Sequence, residues 1–176
     1  MRRNIFYLLL VICFLVLLSS CASKKAPPPK PQWLYQKDAI TLRFKADSVL
    51  NMSEGSPHTL MVCVYQLSND NMMSQLASNE DGIYQLLDCE HYDSSVRNAK
   101  RLIIHPEQDL TFIMDRLAGT QKIAFVAGYA KLDKMRMVRV VDIPVLVSKD
   151  NKSAVATEMK AIVNLGSEQI AAIQKY

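Results

Sequence analysis

The sequence predicts an all-β fold, a sandwich of two sheets interrupted by one small helical insertion. Seven or eight short segments are apolar or alternate apolar with polar residues, and turn residues separate them roughly every 8–12 positions. Residues 68–99 differ, because their apolar side chains recur at helical spacing. No internal repeat is visible. We therefore expect one β-sandwich domain over residues 35–176.

The first 20 residues resemble a bacterial lipoprotein signal. Arg2 and Arg3 give a positive start, and residues 5–18 form an apolar run of about 14, short of the roughly 20 needed to span a bilayer. The letters LSSC at 18–21 resemble the lipobox that precedes lipid attachment. We expect cleavage before Cys21, a diacylglycerol on its thiol and a further acyl chain on its amine. An ordinary signal peptide or a short anchor helix is the alternative.

Residues 21–34 are predicted to be a tether that lifts the domain from the membrane. The segment is rich in proline and lysine, and three successive prolines at 27–29 favour an extended polyproline helix. Ala22, and not aspartate, follows the cysteine, which resembles lipoproteins of the outer membrane. We therefore expect a protein anchored in outer-membrane lipid and facing the periplasm.

The first two strands and the helical insertion are predicted from the pattern of apolar residues. Residues 39–51 alternate, which indicates a strand with one packed and one solvated face. Residues 58–67 are continuously apolar, which predicts a central strand. Within the insertion, Ser68 or Asn69 is expected to cap a first helical turn and Asp81 a second helix.

The β pattern returns after the insertion. Residues 108–117 fit either a strand or a helix. Pro144 suits a strand end or edge, and Gly128 suits a bulge. The chain is expected to finish in a short C-terminal helix capped by Ser167. Strands are predicted in four segments, 100–106, 121–132, 137–147 and 157–165.

Charge and motifs argue against several function classes. The net charge of +4 falls to about +2 once Arg2 and Arg3 are removed, which is too weak for a nucleic-acid partner. The sequence has no metal-binding motif, phosphate loop or nucleophile elbow. We expect no enzyme activity, no metal, and no cofactor apart from the lipid on Cys21. The histidines are isolated from one another, at His58, His91 and His105.

Two cysteines remain for the folded domain, Cys63 and Cys89. An oxidising periplasm permits a disulfide between them. Their spacing fits no zinc motif. From the residues alone, one disulfide and two buried free thiols are equally compatible with the sequence.

Several segments together resemble the TssJ (VasD/SciN) family of type VI secretion lipoproteins. They are the lipobox, YQKDAITLRFKADSVLN, HTLMVCVYQL, EDGIYQLLDC, AKRLIIHPEQDL and VAGY, in this order over about residues 35–175. The resemblance implies a transthyretin-like sandwich of two four-stranded sheets with a small helical part. It also implies a structural role, in which the lipoprotein binds the periplasmic C-terminal domain of the inner-membrane protein TssM and so joins a complex with TssL.

The resemblance implies that the loop between the first two strands carries the TssM contact. Loops on a rigid scaffold commonly hold binding residues. In this sequence the loop comprises Asn51, Met52, Ser53, Glu54, Gly55, Ser56 and Pro57.

Two other functions stay open. The protein could be a lipoprotein that holds a small ligand between its sheets, which would need an apolar cavity with a few polar groups. It could also be a pilot or assembly lipoprotein of another secretion machine. Large apolar residues at the positions expected to point inward favour a filled core over a cavity, namely Leu42, Phe44, Val62, Val64, Val126 and Val140.

Overall fold

The computed structural model describes residues 29–176, so the predicted signal segment, Cys21 and the first part of the predicted tether lie outside the described residues. The described chain is mainly β-strand with short helices, as the sequence predicts. Its elements in order are β1 (Gln36–Ala46), β2 (Leu60–Leu67), α1 (Asn71–Leu76), α2 (Glu80–Leu87), β3 (Val96–Ile104), β4 (Asp109–Arg116), β5 (Lys122–Ala127), α3 (Lys134–Met137), β6 (Val138–Asp142), β7 (Val145–Val147), β8 (Ala154–Ala156), β9 (Met159–Leu165) and β10 (Ile170–Lys175).

Two four-stranded sheets form the sandwich, which confirms the predicted architecture. One sheet has the order β10-β9-β1-β4 and the other has the order β3-β2-β5-β6, while β7 and β8 form a separate pair. Within the first sheet β1 runs parallel to β9 and antiparallel to β4. The predicted central position of the second strand is correct, since β2 pairs with both β3 and β5.

The core lies between the sheets and is filled by large apolar side chains. Strand β1 contributes Ile40, Leu42 and Phe44, while Thr41, Arg43 and Lys45 point away from the core. The rings of Phe44 and Phe125 meet edge to face with centroids 6.1 Å apart. Alternation in β1 therefore follows from burial of one face only.

The central strands β2 and β5 of the β3-β2-β5-β6 sheet are buried on both faces, which explains the continuous apolar run of β2. Its inner face carries Val62 and Val64. Its outer face packs with Met73 of α1 and Leu86 of α2 in a second apolar cluster. The expectation that Val126 and Val140 point between the sheets is wrong, because both belong to this second cluster. Val126 lies in β5 and Val140 in β6. The apolar sequence of each strand does not reveal which of its two faces points inward.

The helical insertion is shorter than predicted. Helices occupy only residues 71–87, and the chain is back in strand β3 by Val96, which is buried and paired with β2. The predicted cap Asp81 lies inside α2. Asn79 caps this helix instead, its side-chain oxygen accepting a hydrogen bond from the Gly82 N–H at 2.8 Å.

The predicted C-terminal helix is wrong, because residues 170–175 form strand β10 against β9. Ile170 and Ile173 are three residues apart, a spacing typical of a helix face. A register shift between Ile170 and Ala172 lets both isoleucines reach the core from a strand. The bulge thus produces a helix-like spacing within a β-strand.

Two further segments are settled by their pairing. The segment whose sequence fits either a strand or a helix forms strand β4 at residues 109–116, beside β1. The predicted strand 137–147 divides into β6 and β7 around Pro144. Gly128 follows the end of β5, and its N–H donates to the Met61 carbonyl at 2.8 Å.

A disulfide joins Cys63 of β2 to Cys89, just after α2. The two Cα atoms are 5.3 Å apart, within the usual range for this bond. Cys89 has a φ of 57°, in the left-handed region. The bond therefore ties the helical insertion to the sheet that it covers.

Replacing both Cys63 and Cys89 with alanine should lower the free energy of unfolding by about 3 kcal/mol, because the bond constrains the unfolded chain. Urea unfolding of residues 21–176 measures this difference. Cys21→Ser leaves the disulfide intact and should not change the unfolding free energy. A double variant within about 1 kcal/mol of the parent would show that packing alone holds the insertion.

Candidate functional site

The two ends of the sandwich differ in what they present. At the loop end, defined by residues 47–59, 128–133 and 166–169, strands β1, β5 and β9 finish. At the tether end, defined by residues 29–35, the described chain enters β1. Strand β1 has 11 residues, and at about 3.3 Å per residue it spans roughly 35 Å. The predicted contact loop and the tether therefore lie at opposite ends of one strand.

The tip of the β1–β2 loop is a tight two-residue turn. Ser53 and Ser56 exchange two backbone hydrogen bonds, each 3.0 Å long. Between them Glu54 and Gly55 have φ values of 51° and 78°. Positive φ at both central residues defines the kind of turn that closes hairpins tightly. The tip thus has a fixed backbone shape and projects its side chains into solvent.

The root of this loop is held by the side chain of Asn51. This residue is only 7% exposed, and its φ of 47° is one that asparagine tolerates better than most residues. Its amide nitrogen donates to the Thr59 carbonyl at 2.9 Å, and its side-chain oxygen accepts from the Ala130 N–H at 2.8 Å. Asn51 therefore positions the loop from inside the domain.

Neighbouring loops brace the same end. The Met52 N–H donates to the Ser167 carbonyl at 2.9 Å. The Tyr129 hydroxyl donates to the Gln169 carbonyl at 2.6 Å, and burial raises the pKa of this tyrosine. Glu168 forms exposed ion pairs with Lys131 at 3.1 Å and with Arg136 at 3.2 Å, of the kind that contribute little individually. The hydrogen bonds, more than the ion pairs, make the loop end rigid.

A cleft of about 370 Å³ opens at the surface beside the N-terminus of α2. The Lys134 side chain lines this cleft, and its ammonium donates to the Ser78 carbonyl at 2.8 Å. The histidines lie elsewhere, and in residues 29–176 no group of three acidic, histidine or cysteine side chains is placed to hold a metal ion. The cleft is lined by Ser78, Asn79, Glu80, Ile83, Lys131, Leu132, Asp133 and Lys134.

At the tether end, Arg116 joins the entering chain to the sandwich. Its guanidinium is buried and donates to the Thr157 carbonyl at 2.9 Å and to the Gln36 side-chain oxygen at 3.0 Å. Weaker contacts of 3.4 Å reach the Leu34 carbonyl. Burial lowers the pKa of this guanidinium. The Gly119 N–H donates to the Trp33 carbonyl at 2.7 Å, so residues 33–36 are fixed to the body.

In the part of the chain from residue 29 onward, no helix combines the length and apolarity that crossing a bilayer requires.

Comparison with known families decides the class of this protein. The model of the type VI secretion lipoprotein family, whose description names VasD, EvfM, TssJ and VC_A0113, matches residues 38–166. The chain belongs to this family. The family comprises lipoproteins of type VI secretion. The predicted resemblance is confirmed.

Solved structures share the fold at low sequence identity. The type VI lipoprotein TssJ1 from Pseudomonas aeruginosa is 18% identical with a TM-score of 0.57, covering 85% of this chain and 96% of that one. Serratia marcescens Lip, a membrane-bound component of the type VI secretion system, is 16% identical with a TM-score of 0.58, covering 78% and 96%. A chain in the structure described as the T6SS protein TssM C-terminal domain from EAEC is 14% identical with a TM-score of 0.57, covering 78% and 96%. No curated protein matches this sequence.

The structure places the predicted contact residues in one loop but in different environments. Glu54, Gly55, Ser56 and Pro57 are exposed, and Met52 and Ser53 are partly exposed, while Asn51 is buried. Sequence reasoning missed the residues that brace the loop. They carry no local signal, since they are contributed by segments far along the chain, at Tyr129, Ala130, Ser167 and Gln169.

Replacing Asn51 with alanine should lower the free energy of unfolding by about 2 kcal/mol, because two partly buried backbone groups lose their partner and alanine disfavours positive φ. Urea unfolding followed by circular dichroism measures the change. Ser56→Ala, at the exposed tip of the same loop, is the control and should leave the unfolding free energy unchanged. Equal stability of both variants would contradict the positioning role of Asn51.

Proposed function

We propose that this chain is the outer-membrane lipoprotein of a type VI secretion membrane complex and binds the periplasmic C-terminal domain of TssM. In this proposal acyl chains on Cys21 hold the protein in the outer membrane. The turn at residues 52–57 meets TssM, and TssL is reached only indirectly through the complex. The observation that carries the proposal is the opposite placement of tether and turn on a chain that belongs to the type VI lipoprotein family.

The chemistry of the turn suits a protein contact. The tip offers the Glu54 carboxylate, the Ser53 and Ser56 hydroxyls and an exposed Pro57. Val49, beside the turn, adds an exposed apolar side chain. Because the backbone of the turn is already fixed by hydrogen bonds, little conformational entropy is lost when a partner binds. A rigid, mostly polar tip favours a specific contact of limited area.

The family comparison also supports the membrane complex as the setting. One structural relative is described as a membrane-bound component of the secretion system, and another belongs to a structure described as the type VI membrane complex. The space between the sheets is occupied by fully buried side chains such as Phe44, Val62 and Phe125. The filled core gives no support to the alternative of a ligand held between the sheets.

Glu54→Arg should weaken binding to the TssM domain by about tenfold or more, because it reverses the charge at the centre of the contact. Calorimetric titration of residues 22–176 with the periplasmic C-terminal domain of TssM measures the dissociation constant. Glu107→Arg is a matched control, since Glu107 is also an exposed glutamate with positive φ, in a neighbouring loop at the same end.

The control should bind within about twofold of the parent. Equal weakening by both substitutions would show a general charge effect and not a contact at the turn. Unchanged binding in both would remove residues 52–57 from the interface. No binding by the parent, with both domains folded, would refute TssM as the partner.

Cys21→Ser should release the protein into the periplasm and abolish secretion, because the acyl chains are lost while the sandwich is unchanged. Membrane fractionation and a secretion assay in the producing bacterium measure the two effects. The thermal unfolding midpoint should not change. A variant that stayed in the outer-membrane fraction, or still supported secretion, would contradict the lipid anchor.

A further inference from the structure

A short ribbon of three extended segments continues beyond the tether end of the sandwich. Gln32 pairs in parallel with Val155 of β8, and β8 pairs antiparallel with β7. Residues 32–34 lead into β1, and β8 leads into β9, its parallel neighbour. The tether ribbon, defined as residues 32–34, β7 and β8, therefore prolongs two central strands of the first sheet.

The outward face of the tether ribbon is aliphatic. Leu146 and Val155 are direct cross-strand partners and are 69% and 57% exposed. Partners of this kind project to the same side. Gln32 shares that side through its bridge to Val155, and so does Leu34 two residues later, which is 63% exposed. Three neighbouring segments thus present one large apolar side chain each to solvent.

The opposite face of the ribbon packs on the domain at β8, although Val147, the cross-strand partner of Ala154, is 46% exposed. Ala154 and Ala156 are buried, and Ala156 belongs to the core between the sheets. The exposed aliphatic side chains are therefore not unpacked core residues. They form a separate apolar patch, and a contiguous exposed patch generally marks a contact with another molecule or with a membrane.

Basic side chains border this patch. The β7–β8 turn at residues 148–153 carries Lys149 and Lys152, both exposed. Its one carboxylate, Asp150, accepts hydrogen bonds from the Ser148 hydroxyl and the Lys152 N–H, and lies 4.0 Å from the Lys152 ammonium. Lys30 is exposed on the adjoining segment. An aliphatic face with a positive rim complements the acyl chains and anionic headgroups of a lipid surface.

The length of chain before the ribbon brings this face to the lipid. Pro29 precedes Gln32 by three residues, and Lys152 of the turn precedes Val155, the bridge partner of Gln32, by the same number. Cys21 lies eight residues before Pro29, and eight residues of even fully extended chain span at most about 28 Å. A lipid on Cys21 would therefore keep Pro29, three residues before the ribbon, within that distance of the membrane.

We propose that the tether ribbon lies on the lipid surface, with Leu34, Leu146 and Val155 among the outer parts of the acyl chains and Lys149 and Lys152 at the phosphates. The proposal rests on the lipid anchor at Cys21 in the proposed function. It adds a second, non-covalent contact that sets the orientation of the domain. With the ribbon on the membrane, the loop end points away from it.

The test uses the mature chain, residues 21–176, coupled through the Cys21 thiol to a maleimide lipid in vesicles of phosphatidylcholine and phosphatidylglycerol. Cys63 and Cys89 are paired and do not react. The chain has one tryptophan, Trp33, so Trp33→Phe gives a background for a single reporter. Leu146→Trp places the reporter on the ribbon. Met135→Trp is the matched control, since Met135 is 75% exposed near the loop end.

Brominated lipids quench tryptophan fluorescence only at short range. Quenching in the Leu146→Trp chain should be at least about threefold stronger than in the Met135→Trp chain, because only the ribbon enters the interface. Hydrogen exchange of the unsubstituted chain gives a second measurement that does not depend on the reporters. Amides of residues 146–155 should exchange more slowly on vesicles than in solution.

A binding assay tests which side chains are responsible. With Cys21 blocked and no coupling, vesicle sedimentation of the Leu146→Ser, Val155→Ser double variant should show about tenfold weaker binding than the parent, since two aliphatic contacts are lost. Ile113→Ser, an exposed isoleucine on the outer face of the first sheet, should bind as the parent does. Lys149→Glu with Lys152→Glu should weaken binding to phosphatidylglycerol vesicles and leave binding to pure phosphatidylcholine vesicles unchanged.

Equal quenching at the two reporter sites would overturn the proposal, as would unchanged hydrogen exchange. So would a dimer in sedimentation velocity that the serine double variant dissociates, because the patch would then be covered by a second copy of the chain. Chemical coupling separates this test from the proposed function. A Cys21 that carries no acyl chains in cells refutes the natural anchor, whereas absent quenching refutes only the ribbon contact.

Discussion

Closure of the two four-stranded sheets over one apolar layer fixes the position of every other part of this molecule. Leu42 and Phe44 of the first sheet meet Val64 and Phe125 of the second, and all four are fully buried. Because paired strands must stay in register to satisfy their backbone groups, the connecting loops are gathered at the two ends of the sandwich. The helical insertion covers the outer face of one sheet, and the disulfide holds it there.

Much of this sandwich can be predicted from the sequence, for a physical reason. Strand β1 has one solvent-exposed face, so its sequence alternates between apolar and charged residues. Leu42 and Phe44 are buried, while Arg43 and Lys45 are exposed. Strand β2 is buried on both faces and reads as an apolar run, from which its central position follows but not the direction of each side chain. Strand β5 is buried on both faces in the same way, and this is why Val126 was placed in the wrong layer. At the C-terminus a bulge gave Ile170 and Ile173 a helical spacing, and only pairing with β9 reveals the strand.

The candidate contact loop shows the same division between local and distant causes. Ser53 to Ser56 form a turn whose Glu-Gly centre is a local signal that sequence reasoning can use. The rigidity of the loop depends instead on Asn51 meeting Ala130, and on Met52 meeting Ser167. Contacts across about 80 and 115 positions of the chain are set by how the sheets close, which no local pattern encodes. The sequence therefore identified the loop as a segment but not the residues that fix its shape.

Strand β1 has a mechanical property that follows from its place in the sheet. It is a central strand, hydrogen-bonded to β9 over residues 40–46 and to β4 over nearly the same stretch, and it joins the tether to the loop end. Tension applied between those two ends acts along the strand axis. Both ladders would then be loaded in shear, so that many hydrogen bonds must fail together and cannot open one after another as in unzipping. The sheet would therefore resist tension between the tether end and the loop end in shear, through both ladders of β1 at once.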